Sequence, residues 1–424
     1  MLTTLSFIVV RIFPHGGFTS NTLRKDGMYM NSIQGIRYIV NGSPDHGKGP
    51  AFLSLAETAA VQVFHEALPE YAPTALVPLP ELAENLGIKA AFIKDESSRF
   101  GLKAFKGLGG SYAVFRAVCD RLGLDYRETS FSKLQSDEIH RQIAELHFVT
   151  ATDGNHGKGV AWAAAKLGCQ AHVYLPKGSV AARAQAIRDI GKTEAVITEL
   201  GYDDAVRYAA KMADEHNWVL IQDTSWPGYE DIPRAIIQGY TTMCREASEQ
   251  LEELGLAPTH VLLQAGVGAM AGGVLGWLRN RYSDSDLTAA IVEPTEAACV
   301  FESVAAADGQ THPAAGNGRT IMAGLNCGEV CPLAWPILRR QADAWFSCPD
   351  QVAVQGMRYL NSAGVVSGES GAVPAGLASL MTQDAFADVK KALKFSGDSV
   401  LLLFSTEGDT DPEAYREIVG RTET

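Results

Sequence analysis

A lysine that stands directly before a glycine-rich, apolar segment is the first candidate for chemistry. Lys106 opens the stretch KGLGGSYAVFRAVCDR, whose apolar spacing predicts a helix over 106–121. A helix N-terminus carries positive partial charge, which disfavours an ammonium there and lowers its pKa. A lysine of depressed pKa is the group that imine chemistry with an aldehyde requires. The alternative is an ordinary surface lysine at the end of a loop.

A short polar turn, TDGNHG, follows a predicted strand over 147–151 and precedes a predicted helix over 158–167. Strand-to-helix turns present backbone N–H groups that hold anions such as a carboxylate. The alternative is structural, since aspartate and asparagine cap helices and glycine shapes turns. The candidate residues are Thr152, Asp153, Gly154, Asn155 and His156.

Asp223 follows a further predicted strand, WVLIQ, over 218–222. In open α/β sheets, ligands bind outside the carboxyl ends of the strands, so a carboxylate at this position is a candidate site residue. A turn or cap residue is the alternative.

A glycine-rich loop follows the predicted strand HVLLQ over 260–264 and opens a helix. Its N–H groups and the helix dipole suit a phosphate. The same loop also fits G-x-G-x-x-A as far as Ala271, and Glu293 ends the next strand, where a dinucleotide site would place a ribose-binding acid. The sequence leaves nucleotide and other phosphates open. The candidate cradle residues are Gly266, Val267, Gly268, Ala269 and Met270.

The elements that position these residues alternate between strand and helix. This order predicts an α/β chain with parallel sheets and helices on both faces. Near-continuous apolar runs such as VLLLF over 400–404 are typical of strands buried on both sides. A long helix is predicted over 233–254, and polar stretches over 123–136 and 308–318 are predicted surface loops.

Composition limits the classes of protein. The 424 residues suffice for two or three folding units, and 46% apolar residues with 20% charged residues predict a large core. A net charge of −13 argues against sequence-independent binding of nucleic acid and against attraction to an anionic membrane. No apolar run reaches transmembrane length. We therefore expect a cytoplasmic protein with small-molecule partners.

Seven cysteines are spaced irregularly, without a paired C-x-x-C. This pattern predicts free thiols in a reducing compartment and no metal site. If one disulfide forms, Cys299 with Cys327 or Cys331 is the pairing to examine.

The N-terminal residues 1–27 include LSFIVVRIF, which lacks the basic start and cleavage site of a signal peptide. We expect an extension that is either flexible or absent from the native protein, with Met28 or Met30 as alternative starts.

In their order along the chain, these segments resemble the fold type II family of pyridoxal phosphate (PLP) enzymes, and within it they look like the diaminopropionate ammonia-lyases. One departure is Lys103, where the family carries asparagine (GLNAFK). The stretches that carry the resemblance are ESSRFGLKAFKGLGG (96–110), ATDGNHGKGVAW (151–162), QDTSWPGYEDIP (222–233), QGYTTM (238–243), QAGVGAMAGG (264–273), TIMAGLNCGE (320–329), SGESGAVP (367–374) and FSTEGDTDP (404–412).

The resemblance implies two domains, each with a mainly parallel, twisted sheet flanked by helices. The small domain would cover 107–222, and the large, PLP-binding domain would combine 28–106 with 223–424. PLP would lie in the cleft between them. A homodimer is implied by family likeness.

The resemblance also assigns roles to residues. It implies that Lys106 holds PLP through an imine, that Asn155 bonds to the 3′ oxygen, and that 266–270 hold the phosphate. Ser405 would face the ring nitrogen, with Glu369 nearby. The polar turn over 152–156 would bind the substrate carboxylate.

The activity implied is α,β-elimination of D- and L-2,3-diaminopropionate to pyruvate and two ammonia. Two isomers need bases on opposite faces, so Lys106 suits the L-isomer and Asp153 the D-isomer, while Asp223 pairs with the β-amino group. A serine dehydratase, whose leaving group is a neutral hydroxyl, has no need of these two acids. The alternatives are an L-serine or L-threonine dehydratase of the same fold, a nucleotide-binding dehydrogenase, and a catalytically silent PLP-fold protein.

Overall fold

A computed structural model describes residues 22–23, 28–152, 154–283 and 285–420 of the chain. Apart from Thr22–Leu23, the extension predicted for residues 1–27 lies outside these residues, as does Asp153 of the polar turn. Within them, strands and helices alternate along most of the chain, and the predicted α/β fold class is confirmed.

Two sheets carry the fold. The larger is mixed: its order is β1-β2-β3-β12-β11-β10-β13-β5-β4, parallel at the centre and antiparallel at both edges. The smaller, β8-β7-β6-β9, is wholly parallel and lies within residues 147–220. The strands are β1 Thr22–Leu23, β2 Tyr29–Ile33, β3 Ile36–Val40, β4 Ala75–Pro78, β5 Ala90–Asp95, β6 His147–Ala151, β7 Gln170–Leu175, β8 Lys192–Ile197, β9 Val219–Leu220, β10 His260–Gln264, β11 Thr288–Pro294, β12 Ala344–Cys348 and β13 Val400–Ser405.

The helices cover both faces of these sheets. Several end in the way their sequence predicts, as where Gly123 adopts a left-handed backbone and stops α3. The helices are α1 Leu55–Glu66, α2 Pro80–Leu86, α3 Lys106–Leu122, α4 Phe131–Leu134, α5 Asp137–Ile143, α6 Asn155–Lys166, α7 Ala181–Arg188, α8 Tyr202–His216, α9 Asp231–Gly239, α10 Thr241–Glu253, α11 Ala269–Arg281, α12 Cys299–Ala306, α13 Trp335–Gln341, α14 Asp350–Ser362, α15 Glu369–Leu380, α16 Ala387–Ala392 and α17 Pro412–Gly420.

The central strands are buried on both faces, as their apolar runs predict. In β13, Val400, Leu402 and Phe404 pack into one hydrophobic cluster, while Leu401 and Leu403 pack into another on the opposite face. Successive side chains of a strand point to opposite faces, so each face of the larger sheet has its own core.

Helix α3, which begins at Lys106, is held on two sides by contacts between glycines. A Cβ atom on Gly239 of α9 would lie 2.7 Å from Gly109 Cα, and a Cβ atom on Gly110 would lie 3.0 Å from the carbonyl carbon of Gly159 in α6. Such distances leave no room for a side chain, so the backbone of α3 lies against both neighbouring helices. The position of Lys106 is thereby fixed from both sides.

Two sequence predictions of local structure are wrong in part. The single helix predicted over 233–254 is two helices, α9 and α10, which meet at Tyr240. The break between the two helices follows Gly239. The backbone of Gly239 lies against α3, and this contact fixes the end of α9. The polar stretch over 123–136 contains α4, because Phe131 and Leu134 are both buried and anchor one turn against the core.

All seven cysteines lie in the described residues, where they are buried and form no disulfide. Cys299 Sγ instead donates to the carbonyl of Gly266 at 3.5 Å. The described part of the chain holds no group of three or more metal-ligating side chains. It also holds no helix with the length and apolar character needed to cross a membrane.

Candidate active site

A cleft lies at the carboxyl ends of the central parallel strands of both sheets. The sequence segments singled out above converge there although they are far apart in the chain. Residues that line it include Lys106, Asn155, Tyr202, Asp223, Gln264, Thr406 and Glu407, together with the loop 266–270.

Lys106 and Asp223 meet in this cleft. Lys106 is the first residue of α3, and its Nζ atom donates a hydrogen bond to Asp223 Oδ2 at 2.9 Å. The side chain of Lys106 is 14% exposed and that of Asp223 is 4% exposed. A surface lysine at a loop end, the alternative left open by the sequence, does not describe this position.

Donors on both oxygens keep Asp223 charged. Burial would raise the pKa of Asp223, but the Lys106 ammonium, His156 and the hydrogen bonds hold it well below its usual range. The Tyr202 hydroxyl donates to Oδ1 at 3.3 Å, and Gln222 Nε2 donates to the same oxygen at 3.2 Å. The carboxylate therefore stays ionised throughout the neutral range.

The polar turn reaches the cleft through Asn155, which begins α6 and donates from Nδ2 to Glu407 Oε2 at 2.5 Å. Thr152 Oγ1 accepts from the N–H groups of Gly154 and Gly157 and so braces the turn. His156 is buried, its Nε2 donates to the carbonyl of Ile221 at 2.8 Å, and its Nδ1 lies 4.0 Å from Asp223 Oδ2. His156 thus both braces the turn and faces the carboxylate.

The glycine-rich loop leads from β10 into α11 and forms one wall of the cleft. Gly268 has φ +88°, a conformation that side chains disfavour. A Cβ atom on Gly266 would lie 3.1 Å from both Cys327 Sγ and Leu325 Cα. Since the first turn of a helix leaves N–H groups without intrahelical partners, the loop presents donors and positive dipole to the cleft.

The position of Glu293 excludes the dinucleotide-binding site that the sequence left open. Its carboxylate accepts from the N–H groups of Val300 at 2.8 Å and Phe301 at 2.6 Å, at the start of α12. Burial is the main reason that its pKa is raised to about 8. A fully buried acid that caps a helix is not available to bind a ribose.

The segment after β13 differs in detail from the prediction. Ser405, predicted to face the ring nitrogen, is fully buried and is not among the residues that line the cleft. Its hydroxyl donates to Ser367 Oγ at 2.8 Å. The next residue, Thr406, lines the cleft and accepts from Gln264 Nε2 at 2.9 Å. Thr406 directly follows the last residue of β13, and successive side chains along an extended backbone point in opposite directions, which accounts for the difference of one position.

Glu369 begins α15 next to Ser370, which lines the cleft. Burial, and then the nearby carboxylate of Glu407, raise its pKa from 4.5 to about 7. Between these two values the folded protein holds a proton that the unfolded chain has lost. The stability of the wild-type protein therefore falls as the pH rises through this window.

Glu369→Gln should remove that loss of stability. One pKa unit corresponds to about 1.4 kcal/mol, so above pH 7 we expect the variant apoprotein to be more stable than wild type by up to ~3 kcal/mol. Little difference is expected near pH 4.5. Denaturant midpoints at both pH values measure this, and a gain of equal size at both would contradict it.

Comparison with known proteins identifies the family of this chain. Residues 67–406 match the family described as "Pyridoxal-phosphate dependent enzyme". The chain belongs to this family. The cofactor is accordingly pyridoxal phosphate, which confirms the prediction and excludes the nucleotide-binding dehydrogenase.

The resemblance to diaminopropionate ammonia-lyases is also confirmed. The chain is 46% identical over 381 residues to the diaminopropionate ammonia-lyase of Escherichia coli strain K12, with 88% of this chain and 94% of that protein covered. The enzyme of Salmonella typhimurium strain LT2 is 47% identical over 384 residues, covering 88% and 95%. A crystal structure of the E. coli enzyme with an aminoacrylate-PLP azomethine intermediate matches with a TM-score of 0.83 and 44% identity, covering 91% of this chain and 96% of that chain. These relatives are PLP-dependent lyases.

The residues present fit PLP. The loop 266–270 offers a phosphate cradle whose glycines cannot carry a Cβ atom, and Lys106 points its amine into the same cleft. Asn155 lines the same cleft with an amide donor, and Thr406 supplies a hydroxyl. The cleft therefore contains an amine for the aldehyde, donors for the phosphate and neutral polar groups for the ring.

The polar lining residues that the sequence did not predict include Tyr202, Gln264, Thr406 and Glu407. Thr406 and Glu407 lie in the quoted stretch FSTEGDTDP, from which the sequence analysis selected Ser405. Tyr202 begins α8 without any motif around it. Only the three-dimensional structure brings its hydroxyl to Asp223.

Proposed function

We propose that this chain is a PLP-dependent ammonia-lyase that converts D- and L-2,3-diaminopropionate to pyruvate and two ammonia. The observation that supports it best is the buried contact between Lys106 and Asp223 in a cleft with a phosphate cradle. The identity to diaminopropionate ammonia-lyases over most of the chain gives the substrate class.

The cofactor, when bound, supplies an electron sink for the carbanion formed at the substrate Cα. Lys106 Nζ holds the cofactor in the resting enzyme and then removes the Cα proton of the L-isomer. We assign the opposite face, and the D-isomer, to Asp153. Asn155 and the loop 266–270 hold the 3′ oxygen and the phosphate. The turn over 152–156 binds the substrate carboxylate.

Asp223 is suited to bind the β-amino group of the substrate. Once the nitrogen of Lys106 is engaged with the cofactor, Asp223 Oδ2 is free to accept from the substrate ammonium. Tyr202 and Gln222 continue to donate to Oδ1, so the carboxylate keeps its orientation. The leaving group is thereby held as a cation, which departs as neutral ammonia when the Cβ–N bond breaks and the bonding electron pair stays on nitrogen.

The hydroxyl that faces the ring nitrogen is assigned to Thr406 in place of Ser405, with Glu369 nearby. Thr406 Oγ1 accepts from Gln264, so its own proton is available for donation into the cleft. A neutral hydroxyl leaves the ring nitrogen largely unprotonated. This gives a moderate electron sink, which suits β-elimination.

The deciding experiment measures pyruvate and ammonia from the purified protein with PLP. The substrates are D- and L-2,3-diaminopropionate, D- and L-serine, and L-threonine, each tested separately. Two ammonia per pyruvate from both diaminopropionate isomers, well above the serine rates, supports the proposal. Activity confined to serine or threonine would instead support the dehydratase of the same fold. Absence of turnover with a visible PLP band would indicate the silent PLP-fold protein.

Asp223→Asn should weaken turnover of diaminopropionate selectively. A hydrogen bond to a charged group contributes about 1.5–3 kcal/mol, so kcat/KM for diaminopropionate should fall by ~10–150-fold. Residual turnover of L-serine, whose leaving group is neutral, should fall much less. Asp204→Asn, which changes an exposed carboxylate paired with Arg207, is the matched control. Equal losses with both substrates would contradict the role given to Asp223.

We further propose a cytoplasmic homodimer, on family likeness. Light scattering of the purified protein should give twice the chain mass of 45.4 kDa. A mass equal to one chain would overturn the dimer.

A further inference from the structure

Glu407 is a buried carboxylate that lines the cleft and has no part in the proposed reaction. It lies two residues beyond the end of β13 and is 5% exposed. Its backbone is fixed independently of its side chain, since the carbonyl accepts from Gly368 N–H at 2.9 Å. The position of the carboxylate is therefore set by the end of the larger sheet.

The two carboxylate oxygens accept from different parts of the protein. Oε2 accepts from Asn155 Nδ2 at 2.5 Å, and Oε1 accepts from the backbone N–H of Ser370 at 3.2 Å. Asn155 begins α6, beside the smaller sheet, whereas Ser370 lies in α15 against the larger sheet. Glu407 thus joins the start of α6 to the start of α15, and it lies 252 residues from Asn155 in the chain.

The side-chain amide of Asn155 has two N–H bonds, and the contact with Glu407 fixes the direction in which each of them points. One hydrogen is taken by Glu407, which fixes the plane of the amide. The second hydrogen remains on the same nitrogen within the cleft that Asn155 lines. The negative charge of Glu407 also lies near the N-terminus of α6, where a helix favours an anion.

We propose that Glu407 is a positioning residue that orients the Asn155 amide toward PLP and holds the start of α6 against the larger sheet. This inference rests on the proposed function, because it assumes that Asn155 contacts the cofactor. Glu407 acts through Asn155 and touches neither PLP nor the substrate in this role. The role requires two acceptor oxygens, one for each donor.

Glu407→Gln tests this requirement with little change of shape. An amide has one acceptor oxygen, so either Asn155 Nδ2 or the Ser370 N–H then faces another donor. The matched control is Asp409→Asn, the same chemical change on the same segment. Asp409 pairs with Lys103 at the surface, and neither of these residues lines the cleft.

Two measurements that do not require turnover test the positioning role of Glu407. The first is the dissociation constant for PLP, measured by titrating the apoprotein. The second is hydrogen exchange of the α6 amides over 157–160 in the apoprotein. Glu407→Gln should raise the dissociation constant about 10-fold, as expected for one lost charge-assisted hydrogen bond, and should speed exchange. Asp409→Asn should leave both unchanged.

A rescue separates positioning from general destabilisation. In the double variant Asn155→Asp with Glu407→Gln, the amide of residue 407 can donate to residue 155 and still accept from Ser370. Slow exchange in α6 should return in the apoprotein, whereas PLP affinity should stay low because the donor toward the cofactor is gone.

The outcomes distinguish this inference from the proposed function. Wild-type PLP affinity and exchange in Glu407→Gln, or equal effects of Asp409→Asn, would overturn the positioning role. Failure of the wild-type apoprotein to bind PLP would instead overturn the proposed function. The exchange comparison in the apoprotein would even then decide whether Glu407 holds the start of α6.

Discussion

Lys106→Ala is expected to lower turnover of 2,3-diaminopropionate by at least ~10³-fold and to abolish covalent attachment of PLP. The variant loses both the amine that holds the cofactor and the base for the L-isomer, and one general base alone contributes ~10²–10⁴-fold. Steady-state release of pyruvate measures the first effect. Mass spectrometry after borohydride reduction measures the second, because only an imine to lysine is fixed by reduction.

Lys103→Asn is the matched control for Lys106→Ala. Lys103 lies three positions away, is 48% exposed, and pairs with Asp409 outside the cleft lining. Its backbone has φ +60°, a left-handed conformation that asparagine adopts more readily than lysine. An exposed ion pair contributes at most about 1 kcal/mol, so activity should stay within roughly 3-fold of wild type. A loss comparable to that of Lys106→Ala would show that Lys103 shapes the site.

Asp153→Asn should damage turnover of the D-isomer by ~10²–10⁴-fold, the usual contribution of a general base, and that of the L-isomer far less. The two isomers present the Cα proton on opposite faces, and the amide cannot accept that proton. Measuring kcat/KM for both isomers with one protein preparation makes the L-isomer the control for folding and for cofactor content. Equal losses for both isomers would contradict the assignment of two bases.

The sequence predicted those parts of the site that depend on the carboxyl ends of parallel strands. Asp223 follows β9 and the polar turn follows β6 in the smaller sheet, so the topology of that sheet brings them to one edge. The loop 266–270 follows β10 at the carboxyl edge of the larger sheet, and the cleft is lined from both edges. Lys106 joins them as the first residue of a helix that a glycine-rich, apolar pattern already predicted. The strong apolar runs of the central strands likewise predicted where the larger sheet would be buried.

The parts of the site that the sequence did not predict depend on the direction in which a side chain points, and not on its position along the chain. Ser405 and Thr406 are adjacent hydroxyl residues at the end of β13, and only the alternation of side chains along the extended backbone decides which of them lines the cleft. From the sequence alone, Glu407 is an ordinary acidic residue in a loop. Its contact with Asn155, 252 residues away, is evident only in the folded protein. The role of Asp153 stays a prediction, since this residue lies outside those that the structure describes.

The glycine contacts on both sides of α3 limit how segments can be exchanged between related enzymes. A crossover between residues 106 and 107, where the predicted domain boundary lies, would cut directly after the first residue of this helix. Gly109 must match Gly239 in α9, and Gly110 must match Gly159 in α6. Exchange of the whole predicted small domain over 107–222 would take α3 and α6 from one parent and α9 from the other. Functional chimeras should therefore retain α3, α6 and α9 from a single parent.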